Sequence, residues 1–424
     1  MPSKRKAKFA PSAAAIAPPV AAIAPPAPIA PGFGRDLANW LFPGFLLLVL
    51  AGFFSIWKFG SSAGETNPVR AMFLAMSSAT CTGFVSNPGV AALTDAGQWI
   101  SLLLIILGSL FTMIVGSLAV IRITRMAFTD GEVILAAFIV QAVVLLVGTS
   151  LLWDADRSPF QALYLTASSF GNCGLYIADL PRPTDLPVHI VILPLTLLGG
   201  IGLPVIMELW CALIFHAKIS VHSKSVLAAS AWIYILAVLV LMFVNQAGHG
   251  SPTPEGIKSQ AISSSILAIE SRTGGMPIVP MSDVSAPAKW IIVILMIIGA
   301  SPAGAGSGLK TTTLVELFRG ARELLAGRNP GRSLGIAVVW LAAYLAFAAG
   351  AMLLLAYVSG MEPGDNIALS AISALSNVGF TADTVPDEKG LFFAYSAIIL
   401  VGKMAPLMIL WWMADTTLAE LAIG

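Results

Sequence analysis

At 424 residues, 57% of them hydrophobic and only 11% charged, the chain has less than half the roughly 25% charged residues of a soluble domain, which excludes a water-soluble globule. A net charge of +1 supplies no bulk attraction for nucleic acid, and no nucleic-acid partner is expected. The three cysteines, Cys81, Cys173 and Cys211, stand in apolar surroundings, so neither a disulfide framework nor a Cys-x-x-Cys metal site is expected.

The first 34 residues open with Lys4, Arg5, Lys6 and Lys8 and continue as an Ala/Pro-rich run through Pro18-Pro19 and Pro25-Pro26. Repeated prolines cannot form the apolar helix of a secretory signal. Residues 1–34 therefore read as a disordered cytoplasmic tail, with membrane lipid head groups as the partner its basic start would touch.

Strongly apolar segments follow at 37–57, 99–121, 132–153, 187–215, 226–245, 290–299 with 311–325, 334–358 and 391–414. Most approach the roughly 20 residues needed to cross a bilayer. Between alternate segments lie shorter stretches near 68–80, 159–171, 257–272 and 365–377. These are too short to span and too apolar for ordinary loops, which predicts re-entrant helices. The expected fold is an all-α membrane protein of four repeats, with eight transmembrane helices plus four re-entrant pore helices around a central pore. The repeats are placed at 35–127, 128–217, 218–327 and 328–424.

Each short stretch runs into a glycine turn. Ser78-Ala79-Thr80-Cys81-Thr82-Gly83-Phe84, Ser169-Phe170-Gly171-Asn172-Cys173-Gly174-Leu175, Glu270-Ser271-Arg272-Thr273-Gly274-Gly275-Met276 and Ala374-Leu375-Ser376-Asn377-Val378-Gly379-Phe380 align without gaps. Gly83, Gly174, Gly275 and Gly379 recur at intervals of roughly a hundred residues, the mark of internal repetition. A dehydrated monovalent cation needs several oxygens at once in place of its water. A ring of backbone carbonyls supplies them if the chain is extended and approaches an axis closely. The expected ion-binding residues are Cys81, Thr82, Gly83, Asn172, Cys173, Gly174, Thr273, Gly274, Gly275, Asn377, Val378 and Gly379. Gly108, Gly116, Gly199 and Gly200 are read as ordinary helix-packing glycines.

Within the third repeat's inner helix, Gly299-Ala300-Ser301-Pro302-Ala303-Gly304-Ala305-Gly306-Ser307-Gly308-Leu309-Lys310 interrupts an apolar span. So many small residues around a proline cannot stay helical. The run predicts a loop beneath the filter, with Gly304, Gly306, Gly308, Lys310 and Lys403 as gate residues and no counterpart in the inner helices after Gly83, Gly174 or Gly379. Lysines at membrane depth are functional by default. Positive charge at the tail and the inter-repeat junctions (Arg122, Arg125, Lys218, Lys224, Arg319, Arg322, Arg328 and Arg332) sets those junctions inside the cell. The glycine turns then enter from outside, past loops rich in acids such as Asp179, Asp383 and Asp387.

These turns resemble those of the Trk/Ktr/HKT superfamily of potassium transporters, most closely its KtrB-type membrane subunit, over roughly residues 36–417. Leu198-Gly199-Gly200-Ile201-Gly202-Leu203-Pro204-Val205, Ile219-Ser220-Val221-His222-Ser223-Lys224 and the glycine-rich loop ending Lys310-Thr311-Thr312-Thr313 look like KtrB motifs. The resemblance implies potassium uptake across the cell inner membrane, with the ion bound at the four filter glycines, residues 300–309 as the gating loop and no organic cofactor. It further implies a homodimer regulated by a cytosolic RCK-type nucleotide-binding ring. Members usually carry arginine where Lys403 stands, and Met276 replaces their usual large apolar partner of Gly275. A polytopic enzyme would need converging catalytic groups. His189, His216, His222 and His249 share no motif, so the chain is not expected to be an enzyme.

Overall fold

The computed structural model describes residues 33–60, 67–87, 89–154, 156–246, 254–362, 364–381 and 384–423. The tail expected over 1–34 lies outside them apart from its last two residues, which open the first helix, and so does Asp383. Among the described residues there is no strand, and helices follow one another in four long–short–long groups. The first is α1 (Phe33–Phe59), the short α2 (Pro68–Ala79) and α3 (Asp95–Thr124). In the second, α4 (Asp130–Leu152) and α5 (Pro159–Phe170) precede a split helix, α6 (Leu193–Ile201) and α7 (Leu203–Phe215). The third repeats this with α8 (Val221–Gln246), α9 (Pro254–Ile269), α10 (Ala286–Ile297) and α11 (Thr311–Leu325). The last comprises α12 (Arg332–Ser359), α13 (Asp365–Leu375) and α14 (Lys389–Ile423).

Six of these helices are long and apolar enough to cross a membrane. The other two expected crossings are broken. Between α10 and α11 the break is the small-residue run foreseen in the sequence. The second break corrects an expectation: segment 187–215 was predicted as one span, yet the chain turns by 104° at Gly202. Gly202 takes φ +95°, and a β-carbon there would press on the Pro302 carbonyl. Pro204, just inside α7, cannot donate an N–H back across the break. The bend thus makes room for the loop from the third group.

The first helix of each group faces outward. Only 22%, 28%, 17% and 22% of the spans of α1, α4, α8 and α12 are buried, against 89% of α3. Their outer sides carry Trp40, Leu146, Phe243 and Leu353. An apolar belt of this size is stable against hydrocarbon and not against water.

The short helices start on strong signals. Asn67 accepts the Val69 N–H ahead of Pro68, and Ser158 and Gln161 form a reciprocal capping box around Pro159. Their far ends are buried. Three inner-helix glycines make this possible, because a β-carbon on Gly108 would overlap the Ala79 carbonyl, on Gly199 the Phe170 carbonyl and on Gly402 the Leu375 carbonyl. The inner helix of each of these groups therefore lies directly on the carbonyl end of that group's short helix. That end is the negative pole of the helix, and it points inward.

Candidate ion pathway

Three of the four turns share one backbone design. Cys81, Asn172 and Asn377 take left-handed conformations at φ +54°, +52° and +52°. The next N–H in each case reaches back to close a Schellman turn: Thr82 to Ser77 O at 2.9 Å, Cys173 to Ser168 O at 2.8 Å and Val378 to Ser373 O at 2.9 Å. Asparagine tolerates that conformation better than most residues. The glycine that follows again has positive φ, +87° at Gly83, +78° at Gly174 and +98° at Gly379. Two such residues so close together stop the helix and leave the chain non-helical beyond it.

The third turn is built differently. Its helix widens into a π-turn over Glu270–Gly274, and Gly275 supplies the single left-handed residue, donating to Glu270 O at 2.9 Å. The Glu270 carboxylate, fully buried, accepts the Met276 N–H at 3.0 Å and the Thr196 hydroxyl at 3.2 Å. Thus a side chain secures the exit of this turn.

The four turns close on one another. A β-carbon on Gly83 would overlap the Cys173 carbonyl, on Gly174 the Gly274 and Gly275 carbonyls, on Gly275 the Val378 carbonyl and on Gly379 the Thr82 carbonyl. Each group therefore touches the next, and the fourth returns to the first. Asn377 strengthens that last joint, donating to Thr82 Oγ1 at 2.8 Å and to Ile399 O at 3.1 Å. The twelve residues expected from the sequence lie in these four turns, and Thr82, Cys173, Gly274, Gly275 and Val378 supply the carbonyls at the contacts. Such a ring brings backbone oxygens together around an axis with no carboxylate in it.

The interruption at 298–310 lies against all four groups. Ala303 meets Gly116 of α3. Ser301 N–H donates to Gly200 O at 3.1 Å and Ala305 N–H to Gly199 O at 3.0 Å. Ser307 N–H donates to Ser376 O at 3.2 Å, in the fourth turn. Gly306 packs against Thr273, in the third turn. Two cations hold its carbonyls: Lys403 Nζ bonds Ala305 O at 2.7 Å and Lys310 Nζ bonds Gly306 O at 2.8 Å. Residues 300–309 are buried. Every expected gate residue, Gly304, Gly306, Gly308, Lys310 and Lys403, lies in this loop or near it.

Some positions that touch the loop were not singled out in the sequence. Gly199 and Gly200 are more than packing glycines, since their carbonyls receive the loop. Arg272, at 7% exposure, donates to Gly299 O at 3.2 Å and so ties the third turn to the loop's first residues. The similar distance in sequence from turn glycine to inner-helix glycine (Gly83 to Gly108, Gly174 to Gly199, Gly379 to Gly402) was a readable signal for the first of these. Arg272 offered none.

No family model matches the chain. It is 24% identical over 276 residues to the Ktr system potassium uptake protein B of Vibrio alginolyticus, covering 60% of this chain and 59% of that protein. The Bacillus subtilis protein of the same name is 24% identical over 272 residues, 61% of this chain and 60% of that one. These two matches thus span about three-fifths of the relatives' own length. The potassium/sodium uptake protein NtpJ of Enterococcus hirae is 24% identical over 419 residues, 86% of this chain and 89% of that protein. In fold, the potassium transporter TrkH of Vibrio parahaemolyticus superposes with a TM-score of 0.68 at 18% identity, over 89% of this chain and 84% of that one. The chain is thus similar in sequence to the Ktr system potassium uptake proteins and to NtpJ, and it shares the fold of TrkH.

Proposed function

We propose that the chain takes up potassium across the cell membrane through the axis enclosed by its four glycine turns. The observation that carries this reading is the closed ring of glycine-to-carbonyl contacts running from Gly83 through Gly174 and Gly275 to Gly379 and back. A dehydrated potassium ion would be held by the carbonyls of Cys81 to Gly83, Asn172 to Gly174, Thr273 to Gly275 and Asn377 to Gly379. Their field comes from dipoles, so the ion can leave as well as enter. The inward-pointing carbonyl ends of the four short helices add to that field.

In the same reading the loop at 300–309 is the gate. Its carbonyls bind Lys310 and Lys403, two positive charges that oppose a cation leaving the filter. Release of the loop opens the path. The positive junctions face the cytoplasm of the inner membrane, where an RCK-type regulator would act on a homodimer, as the resemblance implies.

Purified protein in liposomes tests this directly. Potassium and rubidium flux should exceed sodium and lithium flux. Equal flux of all four ions would overturn the filter assignment, and no flux of any would overturn conduction.

A further inference from the structure

A cavity of about 210 Å³ lies between α6, α8 and the end of α9. Its floor is buried and consists of Ala268, Ile269, Arg272 and Thr273, from the third turn and the helix that leads into it. Its rim is apolar and open, with Leu197 of α6 and Ala231 of α8 both exposed. At about 1.5 Å per residue, Ala231 stands roughly 15 Å along α8, half the roughly 30 Å of a bilayer's apolar core. Only 17% of the α8 span is buried, so the mouth opens sideways into hydrocarbon.

Arg272 gives this cavity its character. The side chain is 7% exposed; its Nη2 donates to Gly299 O at 3.2 Å, but its Nε is buried with no hydrogen-bond partner. Among the described residues no carboxylate pairs with it. The closest acid in sequence, Glu270, has one oxygen on the Thr196 hydroxyl and the other on the Met276 N–H. Buried charges are paired as a rule, and a cation at membrane depth marks a site whose partner has to be named.

An apolar mouth with a lone guanidinium at its floor complements an acyl chain that ends in an anion. Guanidinium and carboxylate match as planar forks. The volume suits one chain end rather than the two chains of a phospholipid, whose permanently charged phosphate stays at the interface. A carboxyl group crosses hydrocarbon as the neutral acid; beside the guanidinium it ionises, and its one proton goes to bulk water. We propose that this cavity is a lateral site for a single-chain fatty acid, entered from the bilayer between α6 and α8, with its carboxylate on Arg272.

The site touches the ion pathway from behind. Thr273 and Gly200 line it, and the same residues hold the loop: Gly306 packs against Thr273, and Ser301 N–H donates to Gly200 O at 3.1 Å. A carboxylate that fixes the guanidinium also fixes its bond to Gly299, so the loop is held and potassium flux falls. The fall in flux rests on the proposed function; the binding does not.

The test uses the full chain in phosphatidylcholine nanodiscs with a diazirine-bearing palmitic acid, crosslinked by light and mapped by peptide mass spectrometry. Labels are expected within 227–234 and 268–273, and excess palmitate should remove them. Excess hexadecanol or phosphatidylglycerol should leave them in place. Removal by hexadecanol would overturn the pairing with Arg272, and removal by phosphatidylglycerol would overturn the single-chain assignment. Ala231→Trp fills the mouth from α8 and should lose the labels. Labels unchanged in that variant, or spread evenly over the outer helices, would overturn the site. Arg272→Gln should weaken labelling several-fold, and if it fails to fold, Ala231→Trp decides alone. In liposomes, palmitate should lower the potassium flux of the unaltered protein several-fold and leave that of Ala231→Trp unchanged. Absence of flux before palmitate is added would count against conduction, whereas labelling without a change in flux would overturn the coupling alone.

Discussion

Replacing Lys403 by methionine isolates one anchor of the loop. The lysine is 1% exposed, and its ammonium donates to Ala305 O at 2.7 Å. Methionine fills nearly the same space, so the change removes the charge and the bond without leaving a void. A hydrogen bond to a charged group contributes about 1.5–3 kcal/mol net. Since about 1.4 kcal/mol is tenfold in an equilibrium constant, the ratio of open to closed loop should rise roughly ten- to a hundredfold. While the closed state still dominates, the open population and the flux rise by the same factor. The assay is basal rubidium uptake into liposomes at matched amounts of inserted protein, with Lys403→Arg as the variant that keeps a donor. Uptake of Lys403→Met equal to or below that of the unaltered protein would refute the idea that Lys403 holds the loop shut.

Deleting residues 302–307 removes two of the loop's main-chain anchors as well as the carbonyls that both lysines hold. It should raise basal flux beyond Lys403→Met and weaken any dependence on a cytosolic regulator; unchanged flux in a folded deletion variant would make the loop a structural break only. Gly83→Ser puts a β-carbon into the Cys173 carbonyl, and the potassium-to-sodium flux ratio should fall several-fold; an unaltered ratio would remove Gly83 from the filter. Glu270→Gln offers one acceptor oxygen where the carboxylate serves two donors, leaving a buried donor unsatisfied at a cost of about 1–3 kcal/mol. A lower melting temperature together with altered ion ratios is expected, and a drop in melting temperature alone would limit Glu270 to stability. A cysteine introduced near Arg328 should label only after permeabilisation and one near Asp387 from outside, while the reverse pattern would invert the pore.

The features readable from the sequence were those with a local cause. The short helices were expected near 68–80, 159–171 and 365–377 and occur at Pro68–Ala79, Pro159–Phe170 and Asp365–Leu375, because a dozen apolar residues ending in a glycine turn are distinctive. The loop was visible because serine, proline and glycine crowd where a helix needs side chains. The bend at Gly202 was hidden, since Ile201 and Leu203 keep the segment apolar and the partner that demands the bend, Pro302, is far away in sequence. The π-turn at Glu270–Gly274 was hidden for a similar reason: the bond from Thr196 to Glu270 that supports it crosses between groups.

The ring of glycine-to-carbonyl contacts has a consequence for how such a pore can change over time. In an assembly of four identical chains, every substitution strikes all quadrants together, so any alteration must be tolerable four times over. Here the quadrants are written separately in one gene. One of them has taken on a widened turn, a buried acid and the loop across the axis, while its neighbours keep the shared turn. Divergence can proceed one quadrant at a time, with three intact sides preserving the aperture while the fourth acquires a new task.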